Sequence, residues 1–153
     1  MYALYRILLV VHIAAAAVTL GASVGLMRHL RRTLEASQQA FALAAEDAQR
    51  RGKIMGLSGF IVLQTGLALI FVIGGFKAAP LNIHIAFMIM LGAMALSITV
   101  MRPTSARLVD LSKAETLDKV GISKSLKKLA MGQGILHLAW IIILVLMLVR
   151  IEK

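Results

Sequence analysis

Two histidines inside apolar stretches are the side chains best suited to carry chemistry. His12 and His137 both lie among mostly hydrophobic residues, and small residues flank each of them one turn away. Neutral imidazoles are common ligands of metals and of haem iron. A haem held by two histidines needs imidazoles from facing helices at a similar depth. The pattern therefore predicts His12 and His137 as axial ligands of a haem b that transfers electrons.

Two further residues extend this hypothesis. Gln64 lies at a depth where its amide would hold the second ring nitrogen of His137, as metal-bound imidazoles require. His84 is a weaker alternative partner for His12, and together with Asn82 it suits the headgroup of a quinone. Catalytic residues stay unassigned, because the sequence carries no motif of a nucleophilic, phosphoryl-transfer or metal-hydrolase site. Whether the protein is an enzyme is therefore open.

The same polar residues also have a structural interpretation. Polar side chains inside a membrane often hydrogen-bond between helices, and small residues let helices pack closely. Gly21 with Gly25, and Gly52 with Gly56, have the spacing that predicts a close crossing of the first two helices. On this interpretation the protein is a non-catalytic subunit or assembly factor of a larger membrane complex, or a homo-oligomer.

Four apolar runs must position these residues. Hydrophobic residues make up 59% of the 153 residues, charged residues 16%, and the mean hydropathy is +0.86, whereas a soluble domain is about half apolar and about a quarter charged. Each run has the roughly 20 residues that a helix needs to cross about 30 Å of hydrocarbon. Without cysteine, disulfide scaffolds and iron–sulfur clusters are excluded. We predict one all-α domain over residues 1–153, a four-transmembrane-helix bundle with spans at residues 4–27, 54–75, 81–101 and 129–149.

Basic residues are concentrated in two of the three connections. Thirteen of the 17 Lys and Arg lie between spans one and two or between spans three and four. Cytoplasmic loops carry an excess of Lys and Arg, so we expect these connections in the cytoplasm and both termini outside, in a bacterial inner membrane. Topology thus explains the net charge of +10, and we expect no nucleic-acid partner.

Both basic connections are predicted to be helical. Residues 31–50 contain good helix formers and neither Pro nor Gly, so they extend helices one and two beyond the bilayer. Pro103 is expected to end helix three near the membrane surface. Residues 106–129 intersperse Leu with Lys, which predicts an amphipathic segment on the anionic leaflet.

Several segments resemble a family of small four-helix membrane proteins. They are LYRILLVVHIA with His12, KIMGLSGFIVLQTGLAL, NIHIAF with His84, and MRPTSARL. The pattern is similar to the group around HemJ-type protoporphyrinogen oxidases and the membrane domain of copper-resistance D proteins, in an uncharacterised branch. The resemblance implies a four-helix membrane fold, association with haem b through His12, and, as a further alternative, HemJ-like oxidase activity.

Overall fold

A computed structural model describes residues 2–149 of the chain. These residues form helices and no strand: α1 Tyr2–Ser23, α2 Leu26–Ala36, α3 Gln38–Val72, α4 Leu81–Leu96, a π-helical turn Ser97–Met101, α5 Arg102–Lys113 and α6 Lys119–Leu148. The helical runs long and apolar enough to cross a membrane are Tyr2–Ala36, Gln38–Val72, Leu81–Lys113 and Lys119–Leu148. The predicted all-α class with four long apolar helices is confirmed. Residue 1 and residues 150–153 of the predicted domain lie outside the described residues.

A short break separates α1 from α2. Gly25 has a φ of 75°, a left-handed conformation that glycine adopts without the cost that a Cβ would add. After α2, the Ser37 side chain accepts a hydrogen bond from the backbone N–H of Ala40 (3.1 Å) and caps the start of α3. The connection predicted to be helical is thus helical on both sides of Ser37.

The four glycines predicted to allow a close crossing of the first two helices do not lie at the contact between those helices. α1 does pack along α3, but a methyl group added at Gly21, Gly25 or Gly52 would meet no atom within 4 Å. At Gly56 it would meet the guanidinium group of Arg102. The spacing is misleading because Gly25 serves the helix break and Gly56 makes room for a side chain from the opposite run.

Pro103 does not end the third helical run, contrary to expectation. The chain passes from α4 through the π-helical turn Ser97–Met101 and continues as α5 to Lys113. Proline lacks an N–H and its ring clashes with the carbonyl four residues earlier. A π-turn changes the hydrogen-bond register and is a known way of accommodating such a disruption without stopping the helix. The predicted end at residue 101 is therefore a change of helix type.

One end of the bundle, which we call the basic end, is formed by α2, the first part of α3, α5 and the first part of α6. α3 has 35 residues, so it is about 52 Å long, well beyond the roughly 30 Å of a hydrocarbon layer. The excess length contributes to a compact basic-end core, whose residues are Leu26, Leu30, Phe41, Ala44, Ala45, Ala48, Leu108, Val109, Ile122, Leu126 and Leu129. The segment predicted to lie on the leaflet over residues 106–129 forms α5 and the start of α6 and contributes apolar side chains to this core.

A second core lies within the four apolar runs, and we call it the span core. Its residues are Ala15, Val62, Ala86, Met90, Trp140 and Ile143. α1 packs along α3 and α4 packs along α6, whereas α3 touches α4, and α1 touches α6, at few positions. The bundle is therefore two helix pairs side by side, with clefts between the pairs.

Candidate functional site

His12 lies inside the bundle and is bonded to α3. Its side chain is 6% exposed, and Nδ1 lies 2.9 Å from Oγ1 of Thr65. The Thr65 hydroxyl is also 2.7 Å from the carbonyl oxygen of Ile61. Because a hydroxyl has one proton, donation to Ile61 leaves Thr65 to accept from Nδ1–H of His12. This arrangement fixes the tautomer in which Nε2 of His12 carries a lone pair.

His137 occupies a different level of the bundle. Its Nε2 lies 2.7 Å from Oγ of Ser23, the last residue of α1. The amide nitrogen of Gln133, one turn earlier on α6, lies 3.1 Å from the same atom. The ring is therefore held between α1 and its own helix, next to the break at Gly25.

The structure does not bring His12 and His137 together. His137 contacts Ser23, which is eleven positions after His12 on the same helix, and this separation corresponds to about 16 Å of rise. From the sequence we expected the two rings to differ in depth by only about 6 Å, a difference that helix tilt could absorb. One iron cannot take both rings at the larger separation. A haem held by this pair does not fit the structure, and haem binding in another form stays a prediction.

The supporting residues predicted for this site also lie elsewhere. Gln64 is exposed on α3 beside Thr65, so it faces away from the bundle, and Gln133 takes the position expected for it next to His137. His84 is half-buried, with Nδ1 3.1 Å from the carbonyl oxygen of Pro80 in its own first turn. Its ring centroid lies 5.9 Å from that of Phe76. Neither Gln64 nor His84 contributes to the surroundings of His12.

Several polar residues that bond between helices were not among the predicted site residues. Thr19 donates a hydrogen bond to Oγ of Ser58 (2.8 Å), joining α1 to α3. Ser23 and Thr65 hold the two histidines. Periodicity shows that such residues are in a helix, but hydrophobic stretches lack the polar face that would reveal which side is buried. The signal for Gln133 was present, because it lies four residues before His137 on the same helix face.

A boundary cleft lies where the apolar runs meet the basic end. It combines two cavities of about 460 and 350 Å³, and both are lined by Lys53, Met55, Ser97, Arg102 and Leu136. The first extends toward α2 and the basic-end core. The second runs between α3 and α4, where it is lined by apolar side chains including Phe60, Met90, Met94 and Trp140. The cleft thus has a cationic mouth and an apolar interior.

Within residues 2–149, the two cations at this mouth, Lys53 and Arg102, form no ion pair. The ion pairs within residues 2–149 are Arg51 with Asp47 (2.7 Å) and Lys113 with Glu46 (2.6 Å). The guanidinium group of Arg102 lies over Gly56, where a Cβ would be 2.8 Å from one of its nitrogens. Gly56 therefore lets Arg102 reach across the cleft to α3. Its charge, and that of Lys53, are available to an anion.

Lys113 also lies at the basic end but differs from Lys53 and Arg102, because an acidic side chain neutralises its charge. The hydrogen bond from its ammonium group to Glu46, and the negative charge of that carboxylate, raise the pKa of Lys113 above its ordinary value of 10.5. Both side chains are exposed, so solvent screens the interaction. This pair joins α5 to α3 on the surface and leaves the boundary cleft unaffected.

A separate cavity of about 240 Å³ lies beside His12, and we call it the His12 cavity. Its walls come from α1, α3, α4 and α6, and apart from His12 and Tyr5 they are formed by apolar side chains and Gly66. Met90 borders both this cavity and the boundary cleft. Within residues 2–149, no group of three or more His, Cys, Asp or Glu side chains is placed to hold a metal ion.

The chain matches no protein-family model, no curated protein and no solved structure. The resemblance to the HemJ-type group therefore rests on the sequence segments quoted above, and oxidase activity stays a prediction. Inferences about function therefore rest on the geometry of the boundary cleft and of the His12 cavity.

Proposed function

We propose that this protein is an integral membrane protein of the bacterial cytoplasmic membrane that binds an anionic phospholipid of the inner leaflet in the boundary cleft. The basic end would face the cytoplasm, because Lys and Arg are retained on that side during insertion. Thirteen of the 17 Lys and Arg lie in the segments that form this end. The cleft mouth would then lie at the depth of the lipid headgroups.

The proposal rests on two cations that lie at the mouth of a cleft with an apolar interior and form no ion pair within residues 2–149. Lys53 and Arg102 line both cavities of the boundary cleft, and neither forms an ion pair in the part of the chain that the structure describes. A phosphate between them would receive charge-assisted hydrogen bonds, and the guanidinium group suits two phosphate oxygens at once. Ser97 supplies a further hydroxyl to both cavities of the cleft.

The interior of the cleft has the length of one acyl chain. Met90 lies twelve positions before Arg102 along the α4–α5 run, which corresponds to about 18 Å at 1.5 Å per residue. Half of a hydrocarbon layer about 30 Å thick is about 15 Å. A lipid with its phosphate at Arg102 would therefore lay one chain along Met94, Ile98 and Trp140 as far as the middle of the bilayer.

The experiment is native mass spectrometry of the detergent-solubilised protein titrated with phosphatidylglycerol or phosphatidylcholine. We expect one phosphatidylglycerol to be retained in preference to phosphatidylcholine. Each Lys or Arg near an anionic lipid contributes about 1 kcal/mol, so Lys53→Gln with Arg102→Gln should weaken binding by about 30-fold. The matched control, Arg107→Gln with Lys124→Gln, removes the same charge from exposed residues outside the cleft and should bind like wild type.

A second arm tests the acyl-chain part of the cleft. Ala93 lines it between α3 and α4, whereas Ala95 is exposed on the other side of the same helix. Ala93→Leu should reduce lipid retention and Ala95→Leu should leave it unchanged. Equal loss in the charge variant and its control would show that only the total charge matters, and would contradict a specific site.

Lipid binding of this kind agrees with the alternative of a non-catalytic membrane subunit. The hydrogen bonds Thr19–Ser58 and Ser23–His137 favour it, because they use polar side chains to join helices. Partnership in a larger complex would place the basic end against another cytoplasmic or membrane component. Electron transfer through haem b and contact with a quinone at His84 stay predictions.

A further inference from the structure

The His12 cavity contains one nitrogen whose hydrogen-bonding capacity is unused. Nδ1 of His12 is bonded to Thr65, while Nε2 has no hydrogen-bond partner among the described residues. Within residues 2–149 the fully enclosed side-chain N or O atom that lacks a partner is Oδ1 of Asn82. Nε2 of His12 is therefore not fully enclosed, and the open space that this residue borders is the cavity.

The surrounding residues make this nitrogen an acceptor. The Thr65 hydroxyl has Ile61 as its own acceptor, so Nδ1 carries the ring proton and Nε2 carries the lone pair. A buried acceptor without a donor is unfavourable in an apolar environment. A ligand that donates one hydrogen bond would remove this penalty.

The size and walls of the cavity define the rest of the ligand. Its volume of about 240 Å³ exceeds the roughly 150 Å³ that encloses benzene and is below the roughly 300 to 1,000 Å³ of sites for drug-sized molecules. It has room for one substituted ring. Phe87, Met90 and Met147 line it, and aromatic rings and thioethers pack favourably against an aromatic ring.

Gly66 keeps the space beside the histidine open. A Cβ at this position would lie 3.2 Å from Cε1 of His12, closer than side chains normally pack. Any larger residue would push the ring or occupy part of the cavity. The absence of a side chain at Gly66 therefore lets α3 lie close to the ring of His12 while Nε2 stays accessible.

We propose that the His12 cavity binds a single hydroxylated aromatic ring, the headgroup of a membrane hydroquinone, through a hydrogen bond from its hydroxyl group to Nε2 of His12. This site is separate from the lipid in the boundary cleft, because Met90 stands between them. It lies in the half of the bundle farther from the basic end. Its occupant would be bound as an intact molecule.

The test uses the full chain labelled with ¹⁵N-histidine in lipid nanodiscs, kept under reducing conditions. The chain has four histidines, and His12→Gln identifies the His12 signals. Adding a short-chain ubiquinol should move the Nε2 signal of His12 by several ppm, because that nitrogen gains a donor. The dimethyl ether of the same molecule has no hydroxyl proton and should leave the signal in place.

Two variants locate the ligand in the cavity. Gly66→Val fills the space beside His12 and should abolish the shift, whereas Gly92→Val adds the same groups where no atom lies within 4 Å and should preserve it. If Gly66→Val fails to fold, the comparison of the two ligands on wild type decides. No shift with the ubiquinol, or the same shift with its dimethyl ether, would overturn the proposal.

Discussion

The two cores of this protein are built on different principles. In the basic-end core the side chains of Leu30, Phe41, Leu108 and Ile122 are 0% exposed, so large apolar groups are packed together as in a water-soluble protein. The residues of the span core are instead 3 to 8% exposed, and buried polar side chains of the spans, such as Thr19 and Thr65, bond between helices. Burial from water stabilises the first, whereas a helix surrounded by lipid gains no such term.

Polar groups show the same division. At the basic end charged residues stay exposed and form surface pairs such as Lys113–Glu46. Among the apolar runs, bonds such as Thr19–Ser58, His12–Thr65 and Ser23–His137 join different helices. Van der Waals packing and such bonds are what hold helices together in lipid. The boundary cleft lies between these two environments, which explains its cationic mouth and apolar interior.

We expect the greatest loss of stability from a substitution in the basic-end core. Phe41→Ala should lower the free energy of unfolding by about 3 to 5 kcal/mol, because it removes a fully buried aromatic ring and leaves a cavity. Leu43→Ala is the control, since Leu43 is 64% exposed two positions along the same helix. Denaturant titration of both variants in micelles measures the difference. Similar losses in the two would contradict the assignment of a water-excluded core at this end.

A smaller effect is expected in the span core. Thr19→Val keeps the shape of the side chain but removes its bond to Ser58, and bonds of this type are worth about 0.6 to 1.7 kcal/mol. Thr99→Val is the matched control, because exposed Thr99 bonds the carbonyl of Ala95 in its own helix. A double-mutant cycle with Ser58→Ala isolates the interhelical part. If the stability losses of the two single variants simply add in the double variant, Thr19 and Ser58 do not interact, and the interhelical bond would be contradicted.

The smallest effect is expected at the surface pair. Glu46 raises the pKa of Lys113 above 10.5, so while Glu46 is ionised the pair contributes its full stabilisation below pH 10.5. The contribution is lost as the pH rises through the folded-state pKa of Lys113. The denaturation midpoints of wild type and Glu46→Gln should differ slightly at pH 8 and low salt. The difference should vanish at high salt or at alkaline pH, and a difference that persists in 1 M salt would refute this assignment.

The sequence predicted the helices better than the site. Hydrophobic runs of sufficient length identify membrane helices independently of their neighbours, so all four long helices were expected. A uniformly apolar helix has no polar face that shows how it is rotated about its axis. Gln64 was therefore predicted to lie beside His137, although it is exposed. The π-turn before Pro103 and the level of His137 depend on contacts between distant helices, such as that with Ser23. Neither the π-turn nor the level of His137 can be predicted from the local sequence pattern.

Labelling of single cysteines with a membrane-impermeant maleimide in intact cells shows on which side of the membrane each connection lies. The chain has no native cysteine, so Gln39→Cys, Lys77→Cys and Thr116→Cys, all at exposed positions, each report one connection. We predict that Lys77→Cys reacts from outside, whereas Gln39→Cys and Thr116→Cys react only after the membrane is permeabilised. Labelling of Gln39→Cys and Thr116→Cys from opposite sides would contradict a bundle whose basic connections share one face of the membrane.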